Sequence, residues 1–306
     1  MMDTVTTSVE TTIAVETPFK RFARNFFSSK IALAGFVALC LIVLAAIFAP
    51  IIAPQNPYDL TQIDIMDSRL APGGQNIDHT FTYLLGTDEQ GRDMLSAILY
   101  GVRISIIVGV VSTAIALLIG LTLGLFAGYF GGRVEGFIMR VADIQLSFPP
   151  ILVALILLAL MGPGISKIVI ALVAVQWAYY ARTARSAALV ERKKEYIEAA
   201  NGLGLSPLRI VFRHLLPNCL PPLIVIAALQ VASAISLEAT LSFLGLGLPV
   251  TEPSLGLLIA NGFDYMMSGK YWISVFPGIA LLVTVVSINL VADQLRDVLN
   301  PRLQTQ

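Results

Sequence analysis

Charge is scarce in this 306-residue chain. Asp, Glu, Lys and Arg make up 13% of it, twenty basic against twenty acidic, for a formal net charge of zero. A soluble domain typically carries about 25%, so the shortfall excludes a disordered chain, a nucleic-acid binder and a water-soluble enzyme. Cysteine is limited to Cys40 and Cys219, both in apolar surroundings and without pairing or ligand spacing, which argues against a disulfide scaffold and a zinc site. Histidine is limited to His79 and His214, so no His-Glu-x-x-His motif exists. There is no Gly-x-x-x-x-Gly-Lys-Ser/Thr phosphate loop, since Gly269-Lys270 lacks the first glycine, and no Gly-x-Ser-x-Gly elbow. The chain is therefore expected to have no catalytic centre of its own. What it has in quantity is apolar residues, 56% of the total at a mean hydropathy of +0.79, the composition of an integral membrane protein.

A spanning helix needs roughly 20 apolar residues to cross a hydrocarbon core of about 30 Å. Charge-free windows at 31–58, 104–132, 144–166, 214–237 and 271–292 meet or nearly meet that length, and a shorter one at 168–181 runs into Arg182 and Arg185. That sixth window is expected to open a helix that continues beyond the membrane through 187–195. With the N-terminus inside, fifteen Lys and Arg residues fall on the cytoplasmic side and five outside (Arg69, Arg92, Arg103, Lys167, Lys270). The expectation is an all-α polytopic membrane protein of six transmembrane helices, with both termini cytoplasmic and a cytoplasmic helix-turn-helix between spans four and five. Basic residues at 20–30 precede the first apolar run, but that run exceeds the 7–15 residues of a signal peptide's apolar region. It reads as an uncleaved span behind a cytoplasmic N-terminal tail, 1–30, with no structure assigned to residues 1–18.

Three polar stretches are long enough to matter. Residues 55–92 are external, acidic and rich in turn formers, and read either as a solvated loop or as a functional outer cap. Thr87 with Gln90 is expected to form a capping box opening the helix of span two. Residues 191–217 are cytoplasmic. A helix over 195–201 should end at Gly202-Leu203-Gly204, and a second should start with Ser206 as N-cap, Pro207 at its first position and Leu205 stapled to Ile210. Pro217 is expected to close this unit. Charges and apolar knobs (Tyr196, Ile197, Leu208, Val211, Phe212) share it, which implies a cytoplasmic partner. The external stretch 245–270 is compatible with a re-entrant or lid-like element.

Glu198-Ala199-Ala200, three residues, Gly204, nine residues and then His214-Leu215-Leu216-Pro217 resemble the EAA signature of ATP-binding-cassette (ABC) importer permeases. His214 replaces the more usual Ile, a departure typical of the dipeptide/oligopeptide/nickel permease family. Residues 86–93, Leu241-Ser242-Phe243-Leu244-Gly245-Leu246-Gly247, and 295–302 resemble the same family, in the order of its C-type permease. Leu255, where relatives often have Trp, and Asn300, where Asp is commoner, depart from the pattern.

The resemblance implies an importer transmembrane domain over 99–302, preceded by a first helix and external loop over 31–98. Its EAA coupling loop, at 191–217, would dock into a cytoplasmic ATPase. Glu198 would contact that ATPase, Ala199 and Ala200 would permit close approach, Gly204 would set the turn, and His214, Leu216 and Pro217 would complete the motif. The implied partners are a second, homologous permease, two cytoplasmic ATPases, an external substrate-binding protein and membrane lipid, with no nucleic acid. No cofactor or metal is expected on this chain; ATP and Mg would sit on the ATPases. The setting is a bacterial inner membrane. Cargo could be di- or oligopeptides, or nickel chelates, glutathione or opine-like compounds.

Small residues drive helix association in lipid, so Gly120, Gly124 and Gly128 read as a packing ridge. Pro149-Pro150 should kink span three. Polar residues inside spans are costly and tend to face a bundle interior or cavity. Gln145, Gln176, Gln230, Ser233, Ser236 and Asn289 are candidates for the path, with interhelical hydrogen bonding the alternative for each; Gln230, Ser233 and Ser236 share one stripe. Glu238 is expected near the outer face, still hydrated, as part of an outer gate or receptor-docking surface. Arg140/Asp143 and Asp293/Arg296 are expected as structural i,i+3 pairs. A secondary transporter is the competing class, but it would usually carry ionisable residues near the midplane and often internal repeats, and neither is visible.

Overall fold

The computed structural model describes residues 17–59 and 61–299. Residues 1–16 of the tail, and Asn300, Pro301 and Arg302 of the C-terminal motif, lie outside the described residues. A short helix α1 (Pro18–Phe26) leads into α2 (Lys30–Ile47), whose N-cap Ser29 accepts from the Ala32 N–H (3.3 Å), and then into one turn, α3 (Ala49–Ile52). A polar cap follows, with a 3₁₀ turn at Ile65–Asp67 and a hairpin of β1 (Gly74–Gln75) and β2 (Thr82–Tyr83). The hairpin is antiparallel, with Gly74 opposite Tyr83. The rest is helical: α4 (Met94–Phe130), α5 (Gly132–Ser147), α6 (Pro150–Met161), α7 (Ile165–Glu191), α8 (Glu195–Gly202), α9 (Pro207–Arg209), α10 (Leu216–Phe243), α11 (Leu255–Phe263) and α12 (Trp272–Leu299).

Among the described residues four helices are long and apolar enough to cross a bilayer: Lys30–Ile47, Met94–Phe130, Pro207–Phe243 and Trp272–Leu299; a fifth is counted if the bent pair α5–α6 is one span. α7 has 27 residues but carries Lys167, Arg182, Arg185 and Glu191, and falls outside that set. It ends at Glu191 rather than running on to 195. Span one is also shorter than its apolar window, because the helix stops at Ile47 and the chain turns through α3.

Span three departs most from expectation. α5 and α6 meet at 91°, so 144–166 is not one kinked rod. Phe148 precedes Pro149 and takes the extended conformation that a following proline ring enforces (φ −96°, ψ 142°). α6 alone is 12 residues, about 18 Å long, too short to cross. Asp143 does not rely on Arg140; it pairs with Arg182 of α7, and Glu135 pairs with Arg185, so α5 is strapped to α7. Among the described residues no ion pair joins Asp293 to Arg296.

α4 and α7 form the spine. The expected ridge lies between them: a Cβ on Gly120, Gly124 or Gly128 would sit 2.6 Å from the Cβ of Tyr180, Ala184 or Ala188 respectively. Without side chains on one helix and with mostly small ones on the other, the backbones meet directly, which is how helices gain dispersion energy in lipid.

The stretch 55–92 is an ordered cap rather than a loose loop. Buried Asp67 accepts from the Tyr83 hydroxyl (3.0 Å) and the Ile77 N–H (3.1 Å); burial, then the Asp67 hydrogen bond and charge, raise the Tyr83 pKa. Asp88 and Arg92 form an ion pair (2.6 Å) with both side chains 1% exposed. Thr87 does not cap α4. It is buried, accepting from the Leu70 N–H and donating to the Asp67 carbonyl, and the N-cap is Asp93, which accepts from the Ser96 N–H (2.8 Å). Thr87 is taken up by the Asp67–Leu70 segment and is not available to the helix.

Replacing Gly124 with Leu should therefore cost about 1–3 kcal/mol by forcing the spine apart. The same change at Gly136, whose surroundings are open, should be near neutral. Thermal unfolding in detergent of the two variants side by side checks this.

Candidate coupling element and translocation path

α8 is a short amphipathic helix whose C-terminus is set by backbone geometry. Gly204 is left-handed (φ +71°), the Leu205 N–H reaches back to the Ala200 carbonyl (3.2 Å) and the Gly204 N–H to the Asn201 carbonyl (3.0 Å). These two bonds are the Schellman arrangement. Nothing lies within 4 Å of where a Gly204 Cβ would be, so conformation rather than space requires glycine there.

Ile197 and Ala200 of α8 are buried with Ile210, Val211 and Leu215 against Leu121 and Leu125 of α4 and Tyr180, Ala184 and Ala188 of α7. Leu205 packs on the same cluster, as a staple to Ile210 requires. Glu198, Ala199, Gly204, Tyr196, Leu208 and Phe212 are exposed, and Leu203 stands 79% exposed at the tip. One face is thus anchored to the spine and the other is unpartnered within the chain.

Two polar ties fix the joint. Glu191 at the end of α7 accepts from Lys194 Nζ and the Tyr196 hydroxyl, both at 2.7 Å. Burial, then the Glu191 hydrogen bond and charge, push the Tyr196 pKa up to about 12, so the phenol remains a donor at neutral pH. The Tyr129 hydroxyl of α4 donates to Asn201 Oδ1 (3.2 Å).

The second helix of the element starts where expected, with Pro207 in its first turn. However, the Ser206 side chain makes no capping hydrogen bond. Pro217 does not close the unit either: helix runs unbroken from Pro207 to Phe243. The Pro217 ring lacks an N–H and crowds the carbonyl four residues back, and the chain absorbs this in a π turn over Ile210–Leu215, where the Leu216 N–H bonds to the Val211 carbonyl. His214 sits half-buried in that turn, and its carbonyl accepts from Asn218 Nδ2 (2.7 Å). Leu216 is half-buried and Pro217 exposed.

The path candidates do not all converge. Gln176 is 3% exposed and taken up in packing: Nε2 donates to the Gln230 carbonyl (3.2 Å) and Oε1 accepts from Thr113 (3.4 Å), tying α4, α7 and α10 together. Gln145, Gln230, Ser236 and Asn289 are half-buried and Ser233 is exposed. Ser236 donates to the Ala232 carbonyl of its own helix. A cavity of about 830 Å³ opens where α7, α10 and α12 meet, lined by Glu191, Asn218, Pro221, Pro222, Ile226, Leu229 and Arg296 among others. Gln230, Ser233 and Ser236 lie beyond Leu229 on α10 and are not among the residues that line this cavity. Sequence reasoning missed its largely apolar lining, because it searched the spans for polar residues.

Glu238 is not hydrated. It is 0% exposed, with Oε2 accepting from Ser105 of α4 (3.0 Å) and Oε1 from Ser242 (2.8 Å). A residue enclosed in this way cannot be part of a receptor-docking surface. The reason is the stretch 245–270, which folds α11 over the end of α10 with Leu255–Leu258 buried.

A helical membrane chain whose short amphipathic α8 is fixed to the spine on one face and open on the other is compatible with a transport permease. Residues 120–305 match the family described as binding-protein-dependent transport system inner membrane component, and residues 17–72 match the N-terminal transmembrane domain of oligopeptide transport permease C. The dipeptide transport system permease protein DppC of Escherichia coli is 43% identical over 94% of both chains. The di/tripeptide permease protein DppC of Pseudomonas aeruginosa is 39% identical over 94% of this chain and 93% of its own. A chain of the inward-facing MetNI methionine ABC transporter superposes with a TM-score of 0.54 at 21% identity, covering 68% of this chain and 98% of that one, which is a likeness of fold. This chain belongs to the family of binding-protein-dependent transport system inner membrane components: it is a non-catalytic, multi-pass inner-membrane permease.

Gly204→Val should force a branched side chain into the left-handed region at a cost of about 1–2 kcal/mol. Amide hydrogen exchange at positions 204 and 205, which carry the two bonds that close α8, should speed up roughly 5- to 30-fold, while Gly204→Asn should change it less.

Proposed function

We propose that this chain is one of two unlike permease subunits of an ATP-driven, binding-protein-dependent importer for di- or oligopeptides. The observation that carries this reading is the two-faced coupling element. Its inner face is packed on α4 and α7, while Glu198, Ala199 and Leu203 are presented outward on a helix whose end is fixed by Gly204. The names of the dipeptide-permease relatives support a peptide cargo.

In this reading α2, α4, the α5–α6 pair, α7, α10 and α12 are the six spans, and the Lys and Arg bias sets both termini in the cytoplasm. Two cytoplasmic ATPases hold ATP and Mg and receive the α8 tip. Ala199 lets it approach closely, whereas Ala200, buried against the spine, serves the inner face instead, and His214, Leu216 and Pro217 shape the π turn that joins it to α10. A second permease completes the path, to which the stripe of Gln230, Ser233 and Ser236 with Asn289 and Gln145 contributes weakly binding neutral polar groups; Gln176 braces it from behind. An external binding protein delivers the peptide. Transport follows from population shift: ATP-loaded ATPases bind one permease conformation better than the other, and can shift the equilibrium only by that difference.

Purification from the native membrane in mild detergent tests the assembly. A second permease and two ATPases should co-purify with the wild type, and Leu203→Asp, which places a charge at the exposed tip without touching the core, should lose the ATPases while keeping the second permease. A chain that comes out alone and transports without ATP contradicts the reading.

A further inference from the structure

Glu238 has no stated task in the importer reading above, on which this inference rests. Its surroundings are unusual for a carboxyl group in an apolar bundle. It lies about 33 Å along α10 from Leu216, at the end remote from the coupling element. Two serine hydroxyls donate to it, Ser105 of α4 at 3.0 Å and Ser242 one turn further along α10 at 2.8 Å, and Ser254, the N-cap of α11, lies close by. Ser254 Oγ already accepts from the Leu257 N–H (3.2 Å), so its own hydrogen is free to point at Glu238. Among the described residues no cation pairs with the carboxyl.

The backbones around this cluster are in direct contact. A Cβ on Gly101 of α4 would lie 3.2 Å from the Leu255 nitrogen and 3.3 Å from the Pro253 carbonyl oxygen. A Cβ on Gly256 would run into the backbone of Ala239, and one on Gly247 into Ser242. The first turn of α11 is therefore held on two sides without intervening side chains, with Glu238 at the centre as the common acceptor. A buried polar group of this kind is costly unless its hydrogen bonds are met. Here they are met by Ser105 of α4 and Ser242 of α10, with Ser254 at the start of α11 close enough to interact, so the cluster joins all three elements.

We propose that Glu238 is a positioning residue that clamps α11 to α4 and α10. The remote ends of these three elements then form one block that moves as a unit when the path opens, and α11 does not swing as a lid. The block must open against the second permease, which makes the clamp a determinant of coupling between ATP hydrolysis and uptake.

The test uses the full importer in lipid nanodiscs, with Cys40→Ala and Cys219→Ala and spin labels at Thr240→Cys on α10 and Phe263→Cys on α11, both exposed positions. In otherwise wild-type protein the 240–263 distance should be the same without nucleotide and with ATP and vanadate. With Glu238→Ala, which leaves the Ser105 and Ser242 hydroxyls without their acceptor, the distribution should broaden, and dipeptide uptake per ATP hydrolysed in proteoliposomes should fall about tenfold. Glu238→Gln, whose amide can still bond to hydroxyls that rotate, should restore both. A nucleotide-dependent change of the 240–263 distance in the wild type, or an unaltered distribution in Glu238→Ala, overturns the clamp. An intact clamp in a complex that shows no ATP-driven uptake at all would instead count against the importer reading and leave the clamp standing.

Discussion

The direct contact between α4 and α7 is the constraint on which the rest of the molecule depends. Gly120, Gly124 and Gly128 present bare backbone to Tyr180, Ala184 and Ala188, so the helices lock with no room for a methyl group between them. In a bilayer the apolar solvent gives helices no hydrophobic reason to associate, and close packing of small residues takes over that role. The ion pairs from α5 to Arg182 and Arg185 and the Gln176 bonds to α4 and α10 brace the same spine from either side.

The coupling element inherits its rigidity from this spine. Ile197, Ala200, Ile210, Val211 and Leu215 continue the cluster that begins with Leu121 and Leu125, so force applied at the α8 tip acts on α4, α7 and α10 together. The π turn at Ile210–Leu215 carries the element into α10 without a break. An ATPase pushing on Leu203 and Glu198 would be pushing on a lever already joined to the membrane helices, and no hinge need be invoked between them.

Much of this was legible in the residues. The apolar windows located the long helices, the glycine spacing found the ridge, and Glu198-Ala199-Ala200 with Gly204 located a short two-faced helix and its turn. Where the reading failed, a tertiary contact overrode a local rule. Thr87 has the spacing of a capping box but is consumed by Asp67 and Leu70, leaving Asp93 to cap α4. Pro217 looks like a terminator because a helix interior usually rejects proline, yet a single widened turn accommodates it. Pro149-Pro150 reads as a kink within one span, and the break there turns the chain through 91°. Glu238 was placed at a hydrated surface by counting residues along one helix. That count has no information about α11, or about the serines at 105 and 254 that enclose it from distant parts of the chain.

Tying α8 to α4 tests most directly whether the coupling element and the spine move as one. Tyr129→Cys and Asn201→Cys, at positions whose side chains now meet across a 3.2 Å hydrogen bond, can be joined by a short bifunctional thiol reagent in a background free of Cys40 and Cys219. ATP-driven peptide uptake that survives the cross-link is the predicted result. Uptake abolished by the cross-link and restored by cleaving it would mean that α8 swings against α4 during the cycle, and would contradict the account.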